Sequence, residues 1–304
     1  MDMTTFFAYA RRAPFGGRLT DGQVKGMKLL FDQWRFYGLF GLAPREYLAY
    51  TLASEFRETG GRMQPVRETF ATSDAGAIKA LDKAYAAGKL GQVGEPYWRK
   101  DKDGKSWYGR GRIQITHKQN YEKLGKRLGV DLVGNPDLAL DPVISARITI
   151  VGMLEGLFTG KKLPDYFNGN KSDPVGARRI VNGTDKAKLI AGYYQNFLDA
   201  INAAYDASEK GEQPADVAAL DAQPDNVPAA KSRSLWAIIA GTFGAGSLGA
   251  VRDAKDFADS GATLFGAISN PWAFGSLVFS AVAAGVLVWL IGSGRITINR
   301  AKAT

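Results

Sequence analysis

The chain of 304 residues contains no cysteine and a single histidine, His117. Without cysteine, disulfide cross-links, thiolate nucleophiles and cysteine-ligated zinc sites are excluded. One histidine argues against a histidine-rich metal site and against a Ser-His-Asp triad. We therefore expect chemistry that is carried by carboxylates and that uses neither a metal ion nor a cofactor.

A phosphate-binding loop, a nucleic-acid-binding motif and a secretory leader are also missing from the sequence. The first apolar stretch is short and precedes Arg11 and Arg12 instead of following them, so we expect no cleaved signal peptide. The net charge of +9 favours a polyanionic partner, which is nucleic acid, anionic lipid or an acidic cell-wall polymer. Without a recognition motif, nucleic acid is not expected, and the oligomeric state stays open.

Composition divides the chain into three regions. Residues 1–208 combine helical periodicity with Gly and Pro punctuation, which predicts one mainly α-helical domain. Residues 209–234 are rich in Ala, Pro, Asp and Gln and poor in large apolar side chains, and we interpret them as a linker. Residues 235–304 are dominated by apolar residues and glycine and are interpreted as a membrane-associated tail.

The predicted tail contains one uncharged run, residues 272–291, that is long enough to span a bilayer as a helix. Residues 235–251 are a shorter, glycine-rich second span, with a surface-lying segment as the alternative. Arg295, Arg300 and Lys302 follow the last run and favour a cytoplasmic C-terminus. We prefer a hairpin of two spans with both ends in the cytoplasm. A single span would place the N-terminal domain outside.

Two glutamates of the N-terminal region are the candidates for catalysis. Glu58 stands at the predicted end of a helix and is followed by Gly60 and Gly61, which permit a sharp turn and the close approach of a ligand. Glu68 follows on a loop. Glycoside hydrolysis requires one protonated and one ionised carboxyl group across a groove. We expect apolar neighbours to keep the proton on Glu58, and nearby Arg67 to keep Glu68 ionised.

Two alternatives stay open for these carboxylates. Glu55 shares a helix face with Glu58 and is its rival, although we prefer Glu58 because it adjoins the glycines. Solvated surface charge is the second interpretation, since glutamates near arginine are common on protein surfaces.

A second segment, residues 107–121, concentrates aromatic, amide and glycine residues (WYGRGRIQITHKQNY). Its neutral polar side chains suit sugar hydroxyls and N-acetyl groups, and its aromatic side chains offer flat faces to pyranose rings. The alternative is a glycine-rich hairpin in which the aromatic residues only pack together.

The order of ETGG (58–61), a second glutamate and YGRG-IQ-T-NY (108–121) resembles glycoside hydrolase family 19, which contains chitinases and phage endolysins. FTGKKLPDYF (158–167) and RRIVNGTD (178–185) are similar to its phage branch. The resemblance extends over residues 20–205. It implies a lysozyme-like fold of two mainly helical lobes around a groove, with a small β-hairpin or extended loop region and C-terminal hydrophobic helices added here. It also implies an inverting mechanism.

By position, the resemblance makes Glu58 the general acid and Glu68 the general base, and it makes Thr116 the hydroxyl residue that helps hold the attacking water. Arg110 and Arg179 are expected to stabilise the groove and its carboxylates. The expected substrate-binding residues are Tyr108, Gln114, Asn120, Tyr121 and Asn182.

The chain departs from the chitinases of this family at Arg57, where they usually have histidine, and it lacks their cysteines and long loops. This favours bacterial peptidoglycan over chitin. We therefore expect an endolysin that cuts the glycan between N-acetylated amino sugars, anchored by its tail in the host inner membrane and acting on the periplasmic wall. The alternatives are a chitinase with the same chemistry, a non-catalytic membrane-anchored wall-binding or virion protein, and a lytic transglycosylase that uses a single glutamate.

Overall fold

A computed structural model describes residues 1–91, 93–228 and 297–299 of the chain. Two compact units are distinguished, of which the first ends at Gln223 and the second begins at Pro224. The spans predicted at 235–251 and 272–291 lie outside the described residues. Among the residues that are described, no helix has the length and apolar character needed to cross a bilayer.

The first unit is mainly helical, as predicted. Its α-helices are, in chain order, α1 (Met3–Arg12), α2 (Asp21–Phe36), α3 (Arg45–Glu58), α4 (Asp74–Ala86), α5 (Lys118–Leu128), α6 (Pro142–Glu155) and α7 (Ala187–Lys210). Short 3₁₀ helices cover Glu68–Phe70, Pro136–Leu140, Leu163–Asp165 and Gly176–Ile180.

Strands in the described part of the chain form antiparallel pairs of two or three residues each. The pairs are β1 (Val66–Arg67) with β2 (Arg110–Gly111), β3 (Phe167–Asn168) with β4 (Lys171–Ser172), and β5 (Asn226–Pro228) with β6 (Thr297–Asn299) in the second unit. The segment 107–121 therefore contributes one strand, β2, which pairs with the segment just before Glu68.

Local capping explains where several helices begin. Thr20 and Gln23 form a capping box at the start of α2, in which each side chain hydrogen-bonds to the backbone of the other residue. Asp141 accepts hydrogen bonds from the amides of Val143 and Ile144 at the start of α6. Pro44 precedes α3, and the helix ends at Glu58, before the two glycines. The end of α3 therefore carries a carboxylate, as the sequence predicted.

The largest hydrophobic cluster surrounds α3, which packs against α7, while α7 also packs against α1. Every residue of α3 from Tyr47 to Glu55 is buried. Two smaller clusters lie elsewhere, one around Trp107 and Leu124 and the other around Trp98. The helix that ends at Glu58 thus belongs to the large cluster. Strand β2 lies in the segment 98–121, whose aromatic residues belong to the two smaller clusters.

The loop that follows Glu58 is held tightly against α2. A Cβ atom at Gly26 would come within 1.7 Å of the Met63 carbonyl oxygen, so only glycine permits this approach. The Gln23 side chain donates to the Gly61 carbonyl at 2.9 Å, and the Gln64 side chain donates to the Gly22 carbonyl at 2.6 Å. These contacts fix the turn on which the end of α3 depends.

Candidate active site

Glu58 is held by a guanidinium group. Its Oε1 accepts a 2.6 Å hydrogen bond from Nη1 of Arg178, whose side chain is 5% exposed against 19% for Glu58. Arg178 lies in the 3₁₀ helix Gly176–Ile180, and its Nε also donates to the Asp185 carbonyl at 3.2 Å. A charge-assisted hydrogen bond of this kind is shorter and stronger than one between neutral groups. Glu58 thus has a guanidinium partner that the sequence did not indicate.

Glu68 receives a separate hydrogen bond at each carboxylate oxygen. The Gly109 amide donates to Oε2 at 2.7 Å, and the Tyr97 hydroxyl donates to Oε1 at 3.1 Å. The Glu68 amide in turn donates to the Gly109 carbonyl at 2.7 Å. Burial and the neighbouring Glu68 carboxylate raise the pKa of Tyr97, which keeps that hydroxyl protonated as a donor. These two donors thus fix both oxygens of the Glu68 carboxylate.

Arg67, which was expected to hold Glu68, is directed elsewhere. Its guanidinium hydrogen-bonds to Asp74, to Asp137 and to the Tyr108 hydroxyl. The groups that donate to Glu68 are instead the Gly109 backbone amide and the Tyr97 hydroxyl.

The absence of a side chain at Gly109 lets Glu68 and Gln114 lie close to the backbone there. A Cβ atom there would lie 2.9 Å from Oε1 of Gln114 and 3.2 Å from Oε2 of Glu68. Gln114 donates its side-chain amide to the carbonyl oxygens of Val66 and Gly111, both at 2.8 Å. Gln114 therefore ties β1 to β2 and leaves its own carbonyl oxygen beside the base candidate.

The segments that carry the two carboxylates are brought together by Phe70. A Cβ atom at Gly60 would lie 2.9 Å from the tip of the Phe70 ring, and the Arg62 guanidinium stacks 4.0 Å from the centre of that ring. Phe70 remains 48% exposed. Thr69 and Phe70 both have left-handed φ angles, 62° and 58°. The chain after Glu68 thus turns back onto the glycine turn that follows Glu58.

Arg110 supports the frame of the site. It is 1% exposed and hydrogen-bonds to Asp137 at 2.8 Å, to Asp74 at 3.3 Å and to the Ser106 carbonyl at 2.8 Å. Although burial opposes the shift, hydrogen bonds and charge from Tyr108, Arg110 and Arg67 lower the pKa of Asp74. Arg110 and Arg67 face each other across the β1–β2 pair, so the cluster anchors the strand that leads to Glu68.

Tyr108 and Tyr121 are both fully buried. The Tyr108 hydroxyl bonds to Asp74, and the Tyr121 hydroxyl donates to the Tyr108 carbonyl at 2.8 Å. A ring without an exposed face cannot stack on a sugar. The expectation that these two tyrosines contact substrate is corrected to a structural role beneath the site.

The other predicted residues are distributed over two regions. Thr116 is half-buried, and its hydroxyl makes no hydrogen bond within the part of the chain that the structure describes. The side-chain amide of Asn120 donates to the Thr116 carbonyl at 2.8 Å. Asn182 is exposed, and its backbone amide donates to the Arg178 carbonyl at 3.0 Å. Arg179 is exposed and bonds to neither carboxylate among the described contacts, so the supporting role expected of it falls to Arg178.

Glu55, the rival for catalysis, is fully buried in an ion pair with the fully buried Arg112. Burial raises the pKa of Glu55, whereas Arg112 lowers it. Arg112 also donates to the Met63 carbonyl at 3.2 Å, which links α3 to the loop after it. A carboxyl group without solvent access cannot reach a polysaccharide, and Glu58 therefore remains the acid candidate.

Three residues of the site region were missed by the sequence reasoning: Tyr97, Arg112 and Arg178. Arg178 is the first residue of the RRIVNGTD motif (178–185), one position before Arg179. Tyr97 stands in an irregular segment without a periodic signal. Within residues 1–91, 93–228 and 297–299, no cluster of three or more His, Cys, Asp or Glu side chains is arranged to hold a metal ion.

Comparison with known proteins finds a family model that matches about a third of the chain. Residues 48–155 match the family model of glycoside hydrolase family 19, described as Chitinase class I. The matched segment contains Glu58, Glu68 and Thr116. The predicted family is thus supported over residues 48–155.

Three of the relatives that match are plant proteins. Chitinase 11 of Oryza sativa subsp. japonica is 35% identical over 122 residues, which cover 33% of this chain and 47% of that protein. Endochitinase of Persea americana is 31% identical over 123 residues, covering 34% and 38%. Acidic endochitinase pcht28 of Solanum chilense is 60% identical over 47 residues, covering 14% and 19%. The chain spans less than half the length of each of these three relatives.

Proposed function

We propose, from the family 19 glycoside hydrolase domain that residues 48–155 carry, that the chain hydrolyses β-linked polymers of N-acetylated amino sugars with inversion. Glu58 acts as the general acid and Glu68 as the general base. The observation that carries the proposal is the fixed Glu68 carboxylate, held by the Gly109 amide and the Tyr97 hydroxyl on the segment that folds back onto the turn after Glu58.

The acid step uses the free oxygen of Glu58. Arg178 occupies Oε1, which leaves Oε2 to carry a proton to the glycosidic oxygen as the bond to the anomeric carbon breaks. Glu58 becomes a carboxylate in that step, and the Arg178 guanidinium stabilises the developing charge. Such a partner lowers the free energy of the transition state more than that of the protonated ground state. The contact with Arg178 therefore assists proton donation by Glu58.

The base step uses Glu68. A carboxylate offers about four lone-pair positions, so each oxygen of Glu68 can accept from water while it accepts from Tyr97 or Gly109. The water gives a proton to Glu68 as its oxygen bonds to the anomeric carbon from the face opposite the leaving group. Thr116, with an uncommitted hydroxyl, is the residue we assign to holding that water.

Chitin-type glycan, a polymer of N-acetylglucosamine, is the first substrate to test, because the matched relatives are named chitinases and endochitinases. Bacterial peptidoglycan is the second candidate. It is favoured by the net charge of +9 and by the uncharged run at residues 272–291. Both glycans consist of β-linked N-acetylated amino sugars, and the same two carboxylates serve either one.

The test is hydrolysis of chitin oligomers and of purified peptidoglycan in parallel, with the anomer of the new reducing end read by NMR immediately after cleavage. We expect the α anomer from a β linkage. Glu58→Gln and Glu68→Gln are expected to lose about 10²–10⁴-fold in kcat, the usual share of acid–base catalysis. Glu122→Gln, at an exposed glutamate of α5, is the matched control and retains activity.

Undiminished cleavage by Glu58→Gln would remove Glu58 from the mechanism. A β product would exclude inversion, and an anhydro product would indicate a transglycosylase. Cleavage of peptidoglycan without cleavage of chitin oligomers would select the second candidate.

A further inference from the structure

Tyr97 reaches the base candidate from a rigidly packed position. Its ring lies edge-to-face on Trp98, with centroids 5.1 Å apart, and also contacts the His117 ring at 4.6 Å. Trp98 is fully buried, and its indole N–H donates to Asp82 of α4 at 2.9 Å. The Tyr97 ring is therefore held on two sides before its hydroxyl meets Glu68.

The backbone fixes the same position. The Trp107 amide donates to the Tyr97 carbonyl at 3.0 Å, and the His117 amide donates to the Trp107 carbonyl at 3.0 Å. Tyr97 is thus connected by two hydrogen bonds to the residue that follows Thr116. His117 has a left-handed φ of 64°, which is uncommon outside glycine and frequent at functional sites. The residue with this backbone conformation, His117, is the one whose ring contacts the Tyr97 ring.

We propose that Tyr97 is a positioning residue that sets the orientation of the Glu68 carboxylate for the attack of water, with His117 supporting its ring. The inference rests on the function proposed above. The terminal torsion of a glutamate has a broad energy well, so one hydrogen bond leaves the carboxylate plane free to turn. The Gly109 amide fixes Oε2 and the Tyr97 hydroxyl fixes Oε1, and together they define the plane.

Tyr97→Phe tests this assignment, because it keeps the ring and its packing and removes only the hydroxyl. The carboxylate would then rotate about its single remaining anchor. A misplacement of about 1 Å costs up to roughly 10²-fold in rate. We expect kcat to fall between about tenfold and 10²-fold with KM unchanged, since Tyr97 contacts the base and not the sugar.

Tyr85→Phe is the matched control, because Tyr85 packs on the same indole, with centroids 5.4 Å apart, and is 38% exposed. It should retain the kcat of the parent chain. A kcat of Tyr97→Phe equal to that of the parent chain would overturn the inference, and so would a rise in KM that accounted for the whole loss.

A double variant separates this inference from the proposed function. In the Glu68→Gln background, Tyr97→Phe should cause no further loss, because a residue that acts only through Glu68 has nothing left to position. An equal loss in both backgrounds would overturn the positioning role. If the parent chain cleaves neither glycan, or if Glu68→Gln is fully active, the proposed function itself fails.

Discussion

Arg178 donates a 2.6 Å hydrogen bond to Glu58 from a position 120 residues farther along the chain. The donor belongs to a 3₁₀ helix and the acceptor to the last residue of α3. A buried guanidinium beside an acid candidate stabilises the charge that appears when the proton leaves. The contact therefore joins two segments that are far apart in the sequence at the acid candidate.

Replacing Arg178 by methionine tests this contact. We expect kcat to fall by about 10²-fold, the usual effect of removing one preorganised donor from a developing charge. KM should change little, because the guanidinium bonds to the enzyme's own carboxylate. The measurement is steady-state hydrolysis of a soluble oligosaccharide, with circular dichroism to verify that the variant is folded.

Arg179→Met is the matched control for that variant. It removes the same charge from the adjacent, exposed residue. Equal losses in the two variants would mean that net charge, and not the contact with Glu58, sets the rate.

Gly109→Ala is expected to damage activity more than stability. The added methyl would lie 3.2 Å from Glu68 Oε2 and 2.9 Å from Gln114 Oε1, so both side chains must move. Overpacking of this kind costs about 1–3 kcal/mol in the free energy of unfolding. The displaced base should lower kcat by more than about tenfold.

Gly192→Ala is the control for an added methyl group. This residue lies exposed within α7, and a Cβ atom there would meet nothing within 4 Å. Alanine should stabilise the helix by about 0.8–1 kcal/mol and leave the rate unchanged. A Gly109→Ala variant with full activity would show that the Glu68 carboxylate tolerates displacement.

Local patterns predicted the parts of the site that depend on neighbours in the sequence. The helix that ends at Glu58 follows from Pro44 before it and the glycines after it, and α3 spans Arg45–Glu58 in the structure. The mainly helical character of residues 1–208 was likewise predicted from the helical periodicity of their apolar residues. The strand before Glu68 was not predicted, because a two-residue strand has too few alternations to leave a pattern.

Contacts between residues that are far apart in the sequence could not be predicted from local patterns. The sequence indicated Arg179, but adjacent side chains of a 3₁₀ helix point in different directions. Packing of this helix against α7 decides which side chain turns inward. Tyr97 lies in an irregular segment whose course is set by the burial of Trp98. Glu55 and Arg112, 57 residues apart, each look like surface charge until the fold buries both.

The buried Glu55–Arg112 pair yields a prediction about stability. Removing one partner leaves a charge without compensation, and Arg112→Met should cost about 3–5 kcal/mol in the free energy of unfolding. The double variant Glu55→Leu/Arg112→Met should recover most of that loss, since an apolar pair of similar volume replaces two charges. Urea denaturation of the parent chain, both single variants and the double variant measures the coupling. Additive losses would mean that the pair is not coupled.

Thr69 links stability to activity through its backbone. Its left-handed φ of 62° disfavours any residue with a Cβ atom by about 1–2 kcal/mol, and it directs the next residue, Phe70, toward Gly60. Thr69→Gly should therefore raise the free energy of unfolding by up to about 1 kcal/mol, net of the added entropy of the unfolded chain. The same freedom should loosen the segment after Glu68 and lower kcat severalfold.

Lys186→Gly provides the comparison, because Lys186 also has a left-handed φ, 57°, and is exposed at the start of α7. It should gain similar stability in thermal unfolding without any change in rate. If Thr69→Gly behaves in the same way, the strain at Thr69 serves only the fold. If Thr69→Gly is more stable and slower while Lys186→Gly is more stable and equally fast, the strained turn contributes to holding Glu68 in place.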